Sequence, residues 1–142
     1  MKIVKVFLSG SIRGGRQLLP TYCSLCDLLE GMGHEVVSAH VADAQVEEKE
    51  LGMSELQIYE RDMGGLRICD CLVAEVSVVS TGVGYEVCSA IARGLPVLCV
   101  HTPAAPVSAM ILGNPNIDVR EYADPGELEV IVRGFFEGIA EV

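Results

Sequence analysis

The run Cys71-Leu72-Val73-Ala74-Glu75-Val76 is short and almost wholly apolar, the pattern of a buried strand. It is followed by Thr81-Gly82-Val83-Gly84-Tyr85-Glu86, after which Val87, Ala90, Ile91 and Leu95 recur at helical spacing. A strand that passes straight into a helix has no hairpin partner next to it in sequence. It must pair with strands reached by crossovers, which makes the sheet parallel. The spacing places Glu86 in the first turn of the helix, just past the carboxyl end of the strand, the edge at which open α/β sheets bind ligands. Gly82 and Gly84 put no side chain between the backbone and a small molecule above it. A carboxylate at a helix start is also favoured by the helix dipole alone, by a few tenths of a kcal/mol.

The same alternation runs through the chain. Residues 3–9 read as a first strand, and residues 10–16 as a glycine-rich basic loop. Pro20 sits near the start of a helix whose apolar stripe is Leu25, Leu28, Leu29 and Met32, closed by Gly31 and Gly33. Residues 34–39 are a second strand, ending at His40. Residues 43–53, with Glu47, Glu48 and Glu50, read as a mobile loop or frayed helix. Ser54 caps a helix over 54–68 whose expected buried face is Leu56, Tyr59, Met63 and Leu66. Residues 96–100 form a fourth strand, 107–112 a short helix and 117–122 a fifth strand. Asp124-Pro125 opens a last helix carrying Leu128, Ile131, Val132 and Phe135. The expectation is one α/β domain over 1–142, a flavodoxin/Rossmann-like three-layer sandwich around a five-stranded parallel sheet.

The net charge of −10 argues against nucleic acid polymers and anionic membranes as partners. An anionic small molecule would need a local cluster of arginines. No apolar run reaches the length of a membrane span, and the apolar start flows directly into Ser9-Gly10-Ser11. A cytoplasmic protein is expected, with the nucleus open to it in a eukaryote. Cys23, Cys26, Cys69, Cys71, Cys88 and Cys99 lie in apolar strand or helix patterns. They read as buried reduced thiols rather than a zinc site, so no metal or cofactor is expected.

Three further stretches share the sheet edge with Glu86. Gly10-Ser11-Ile12-Arg13-Gly14-Gly15-Arg16 offers glycines, a hydroxyl and two guanidinium groups, a set suited to phosphate. Its spacing matches neither a Walker loop nor a dinucleotide fingerprint. Asp62 falls late in the helix pattern over 54–68, and Glu60, Arg61 and Asp62 all look surface-like by composition. Ser108, in Val107-Ser108-Ala109-Met110, can cap a helix or offer its hydroxyl to an anion.

Taken together, residues 10–16, His40-Val41-Ala42, Val73-Ala74-Glu75-Val76, Gly82-Val83-Gly84-Tyr85-Glu86 and Ser108-Ala109-Met110 resemble the nucleoside 2-deoxyribosyltransferase superfamily. Within it, they are most similar to the 2′-deoxynucleoside 5′-phosphate N-hydrolases. The resemblance implies hydrolysis of the N-glycosidic bond of (2′-deoxy)nucleoside 5′-monophosphates through a covalent glycosyl-enzyme. It implies that Glu86 is the nucleophile and Asp62 the general acid, protonated through a raised pKa. It places Ser11, Arg13 and Ser80 on the 5′-phosphate, with Gly10, Ile12, Gly14, Gly82 and Gly84 around the substrate and His40 on the base. It also puts Met110 on the substrate and implies a homodimer in which Ser108 reaches the neighbouring active site.

The family's hydrolases usually carry a tyrosine three residues before the Gly10 position, where this chain has Phe7. If residue 7 lies beside Glu86 and the sugar 2′ carbon, the missing hydroxyl weakens the preference for deoxy over ribo sugars. The alternatives are a transferase that exchanges bases between deoxynucleosides and a nucleotide-binding sensor without turnover.

Overall fold

The computed structural model describes residues 2–140. Five strands form one all-parallel sheet: β1 (Lys5–Ser9), β2 (Glu35–Val36), β3 (Cys71–Glu75), β4 (Val97–His101) and β5 (Asp118–Glu121), in the spatial order β2-β1-β3-β4-β5. The helices are α1 (Leu19–Gly31), α2 (Val46–Glu50), α3 (Glu55–Ile68), α4 (Thr81–Ala92), α5 (Ala109–Leu112) and α6 (Pro125–Ala140), with a 3-10 turn at Ala39–Ala42.

Side-chain alternation splits the core in two. Val6, Leu8, Cys71, Val73, Leu98 and Val100 face α1 and α6, whose Leu25, Leu29, Val132 and Phe136 cover them. On the other face Phe7, Leu72, Ala74, Val97 and Cys99 meet Leu66 of α3 and Val83 and Val87 of α4. The sheet is therefore a three-layer sandwich, as the strand–helix alternation requires. Among the described residues no helix is long and apolar enough to cross a membrane.

Several local expectations are corrected. The second strand is only two residues long, because the Ser38 side chain stops it: its hydroxyl accepts from Leu8 N–H at 2.8 Å and donates to the Leu8 carbonyl at 2.7 Å. A side chain thus does what the next rung of the ladder would do, and the chain turns into Ala39–Ala42. Residues 43–53 are not a bare loop. Val46 of α2 is buried, and Glu50 is buried against Arg61, 2.7 Å away. The acidic composition concealed an apolar anchor, Val46, and two ion pairs, Glu50–Arg61 and Asp43–Lys49.

In α3 the capping box is present, with Ser54 and Gln57 exchanging side-chain and backbone hydrogen bonds. Leu56 and Tyr59 are nevertheless exposed, and the helix meets the sheet through Gly65 and Leu66. A Cβ on Gly65 would lie 3.1 Å from the Phe7 ring, so the bare glycine sets how closely α3 approaches β1. Four of the cysteines are buried, whereas Cys23 is half-buried and Cys88 is exposed; all six are free thiols.

Strand order reverses at β1, with β2 on one side and β3 on the other. The loops after β1 and β3 therefore diverge and leave a crevice between them, the switch point at which this class of sheet binds ligands.

Candidate active site

A cavity of about 550 Å³ opens at that switch point. Gly10, Ile12, Arg13 and Gly14 line one wall, Asp62 stands on α3, and Ser80, Gly82 and Glu86 come from the start of α4. Eight of the residues singled out from the sequence thus share one cavity. Gly84, Ser108 and Met110 line a neighbouring groove of about 430 Å³, which also includes Ser80. Phe7 does not line the cavity; it is fully buried, with its ring turned to Gly65.

The loop after β1 is held from behind. A Cβ at Gly10 would lie 2.9 Å from the Tyr22 ring, so the backbone rests directly on that ring. The Tyr22 hydroxyl accepts from Ser11 N–H at 3.1 Å. Arg16 donates to the carbonyls of Ser11, Val41 and Asp43 at 2.8–3.0 Å. Its guanidinium is consumed as a strut between the loop and the Ala39–Ala42 turn. Of the two arginines expected to suit a phosphate, only Arg13 keeps an exposed side chain in the cavity. Arg13 makes a forked pair with Glu55, at 3.0 and 3.1 Å. Ser11 is wholly buried, and among the described residues its hydroxyl has no hydrogen-bond partner.

Glu86 lies in the second turn of α4, not the first, since Ser80 is the N-cap and accepts from Val83 N–H. The dipole reading of Glu86 thereby loses its basis, because that effect fades beyond the first turn. An added methyl at Gly82 would meet only the Ser80 hydroxyl, at 3.9 Å, and at Gly84 nothing within 4 Å, so the space above both is open. Glu86 is half-buried, and Ser9 Oγ donates to its Oε1 at 2.7 Å. Burial pushes the Glu86 carboxyl up to about 7; the Ser9 hydroxyl opposes this, and the Asp62 charge adds to it.

Asp62 is held in the opposite sense. Burial raises its pKa, but hydrogen bonds from His40 and Arg61 outweigh burial, and the net shift is downward. His40 Nε2 is 3.1 Å and Arg61 Nε 3.0 Å from Asp62 Oδ1. Arg61 also spans to Glu50. In the free protein, then, Asp62 is the ionised partner and Glu86 keeps a proton to near neutrality, the reverse of the raised acid expected from the sequence.

Sequence reading missed Ser9, Glu50, Glu55 and Arg61. Ser9 looked like the end of a strand, and the glutamates and Arg61 looked like surface charge. Only one signal was available, the position of Ser9 directly before the glycine loop. Among the described residues no group of three or more His, Cys, Asp or Glu is arranged to hold a metal ion.

The nucleoside 2-deoxyribosyltransferase profile matches residues 6–131. A protein of Methanococcoides burtonii, whose given name assigns it to the 2′-deoxynucleoside 5′-phosphate N-hydrolases, is 62% identical over 116 residues, covering 82% of this chain and 95% of that protein. The 5-hydroxymethyl-dUMP N-hydrolase of Mus musculus is 40% identical over 139 residues, covering 93% and 79%. The structure of a Clostridium botulinum CMP N-glycosidase superposes with a TM-score of 0.68 at 22% identity, covering 92% of this chain and 98% of that one, which shows a shared fold.

The raised carboxyl has a consequence for stability. Between the ordinary value of 4.5 and about 7, the folded state holds a proton that the unfolded state has released, so Glu86 makes stability fall as pH rises through that window. Glu86→Gln removes this slope. Its Tm relative to the wild type should be higher at pH 8 than at pH 5; a difference that does not change with pH would show that Glu86 is not held protonated.

Proposed function

The chain belongs to the nucleoside 2-deoxyribosyltransferase family, and on that premise we propose that it hydrolyses the N-glycosidic bond of (2′-deoxy)nucleoside 5′-monophosphates. The products are free base and (deoxy)ribose 5-phosphate. One observation carries the reading: two carboxylates of unequal proton affinity, Glu86 and Asp62, line one cavity with an arginine- and glycine-bearing loop.

In the proposed first step a Glu86 carboxylate oxygen bonds to the anomeric carbon as the C–N bond breaks. The bonding pair leaves with the base, which takes a proton from Asp62. In the second step the Asp62 carboxylate takes a proton from water, the water oxygen bonds to the anomeric carbon, and the ester to Glu86 breaks. Both transition states carry positive charge on the sugar, which the adjacent carboxylate stabilises. His40 and Arg61 orient Asp62 and, by favouring its charged form, make it a competent base for the second step. Arg13, Ser80 and the N–H groups at the start of α4 supply the phosphate site, with Ser11 behind them. A phosphate would draw Arg13 away from Glu55.

Ser108 lies in the neighbouring groove rather than the Glu86 cavity, its hydroxyl capping Met110 N–H at 3.1 Å. Val79, Tyr85, Met110 and Leu112 are large exposed apolar residues of this region. Both facts support a homodimer in which Ser108 serves the partner's site. The free thiols fit a reducing compartment such as the cytoplasm.

The proton inventory makes the pH profile diagnostic. From about pH 7 down to the range in which Asp62 also takes a proton, the pair holds one proton, mostly on Glu86; the reactive form has it on Asp62. Both forms lose it together, so kcat/KM should be flat over that range and fall above about pH 7. A rate that instead rises through pH 7 would remove Asp62 as the acid.

Incubation with deoxy- and ribonucleoside monophosphates, with chromatography of the released base, tests the activity itself. Glu86→Gln should bind nucleotide and lose turnover by several orders of magnitude. Asp62→Asn should also be crippled, yet be rescued more by a substrate with a good leaving group. Near-normal turnover in Glu86→Gln would sink the covalent route, and base exchange on adding a free base would point to a transferase.

Arg13→Ala should raise KM for nucleotides several-fold and leave nucleosides unaffected, with wild-type nucleotide binding weakening as salt is added. Equal cleavage of nucleosides and nucleotides by the wild type would show that the loop is not a phosphate site.

A further inference from the structure

Ser9 is the last residue of β1, in register with Ala74 in the middle of the sheet, and only 1% exposed. Phe7 and Ser9 share the face of β1 that looks toward α3 and α4. Phe7 brings no polar atom to that face. Ser9 brings a hydroxyl whose oxygen is 2.7 Å from Glu86 Oε1, although the two residues are far apart in sequence. Glu86 lines the switch-point cavity and Ser9 is buried beside it; Ser9 sits on a strand and Glu86 on a helix, so neither depends on a loop for its position.

The groups that face Glu86 divide by sign. Burial and the Asp62 charge, from α3, disfavour its ionised form. Arg61, also from α3, and Ser9, from β1, favour it. Arg61 gives its hydrogen bonds to Asp62 and Glu50. Ser9 is thus the direct donor to the carboxylate, and a donated hydrogen bond is strongest when its acceptor is charged.

We propose that Ser9 is a positioning residue for the hydrolysis: its hydroxyl holds Glu86 by Oε1 and favours the ionised carboxylate that attacks the sugar, leaving Oε2 free of that bond. The proposal rests on Glu86 being the nucleophile. It gives β1 a second contribution to the site besides the loop that follows it. It also makes Ser9, rather than residue 7, the source of the strand-one hydroxyl in this chain.

The test separates positioning from simple packing. Removing the hydroxyl makes a proton on Glu86 more favourable but leaves the affinity of Asp62 for a proton unchanged when Glu86 is ionised. Where the pair holds one proton, the reactive arrangement becomes rarer. Where the pair is fully ionised, its population is unchanged. Ser9→Ala should therefore lower the flat part of the kcat/KM profile about tenfold and move its alkaline limb up by about one pH unit, the scale of one charged hydrogen bond. Its rates should converge on those of the wild type at high pH. Ser9→Thr keeps the hydroxyl and should retain the wild-type profile. In parallel, a ¹³C NMR titration of the Glu86 carboxyl should show its midpoint rising about one unit in Ser9→Ala, at the scale of that same bond. An equal loss of rate at every pH, or an unmoved Glu86 midpoint in a folded Ser9→Ala protein, would overturn the proposal. Should the wild type prove inactive on nucleotides, the hydrolase reading falls, while the titration still decides whether Ser9 favours ionised Glu86.

Discussion

Two carboxyl groups facing one half-buried cavity cannot both be ionised cheaply, and the arrangement of the site follows from that constraint. The protein resolves it with unequal surroundings. Asp62 receives His40 and the Arg61 guanidinium, and Arg61 is itself held by buried Glu50. Glu86 receives one hydroxyl and remains otherwise enclosed. The result is a pair that holds a single proton near neutrality, with the proton resting on Glu86. The proposed displacement on a sugar needs it on Asp62, so under that proposal productive binding reverses the resting preference. The hydrogen bonds from His40 and Arg61 to Asp62 are better matched to the second half of the proposed reaction, in which that carboxylate would remove a proton from water.

The scaffold places these groups by tying down the backbone around the crevice. Beneath the loop after β1 lie the Tyr22 ring and the Arg16 strut. Beneath the loop after β3 lies Glu75, fully buried, which accepts from the N–H and the hydroxyl of Ser77 and from the Tyr122 hydroxyl. Ser77 in turn accepts from Thr102 N–H, beyond the end of β4. A fully buried carboxylate with three donors is tolerable where an unpaired one would not be, and it turns the chain sharply toward the Ser80 cap of α4. The glycines above the site then leave open the space that these buried bonds shape.

The Arg13–Glu55 pair is of a different kind. Both side chains are largely exposed, and such pairs contribute little to stability. Both residues line the cavity, and a weak pair there suits the anion-binding role proposed for Arg13 in a protein of strongly negative charge.

Local pattern carried the architecture. Strand–helix alternation, caps such as Ser54 and the glycines at 10, 14, 82 and 84 are determined within a few residues of sequence. They led to the parallel sheet, its edge and the loops that line the cavity. Glu86 was legible as a candidate for this cavity by its place after a strand, and Asp62 by resemblance alone. Their proton affinities were not legible, nor were the parts played by Ser9, Arg61, Glu50 and Arg16. Each of those depends on a partner in another element: Ser9 across to α4, Arg61 to α2, Arg16 to the turn after β2. The burial of Phe7 likewise depends on a glycine in α3. Periodicity reports which face of an element is apolar. It does not report which polar groups meet when the faces close, and those meetings set both the charge on a carboxyl and whether an arginine is a strut or a ligand.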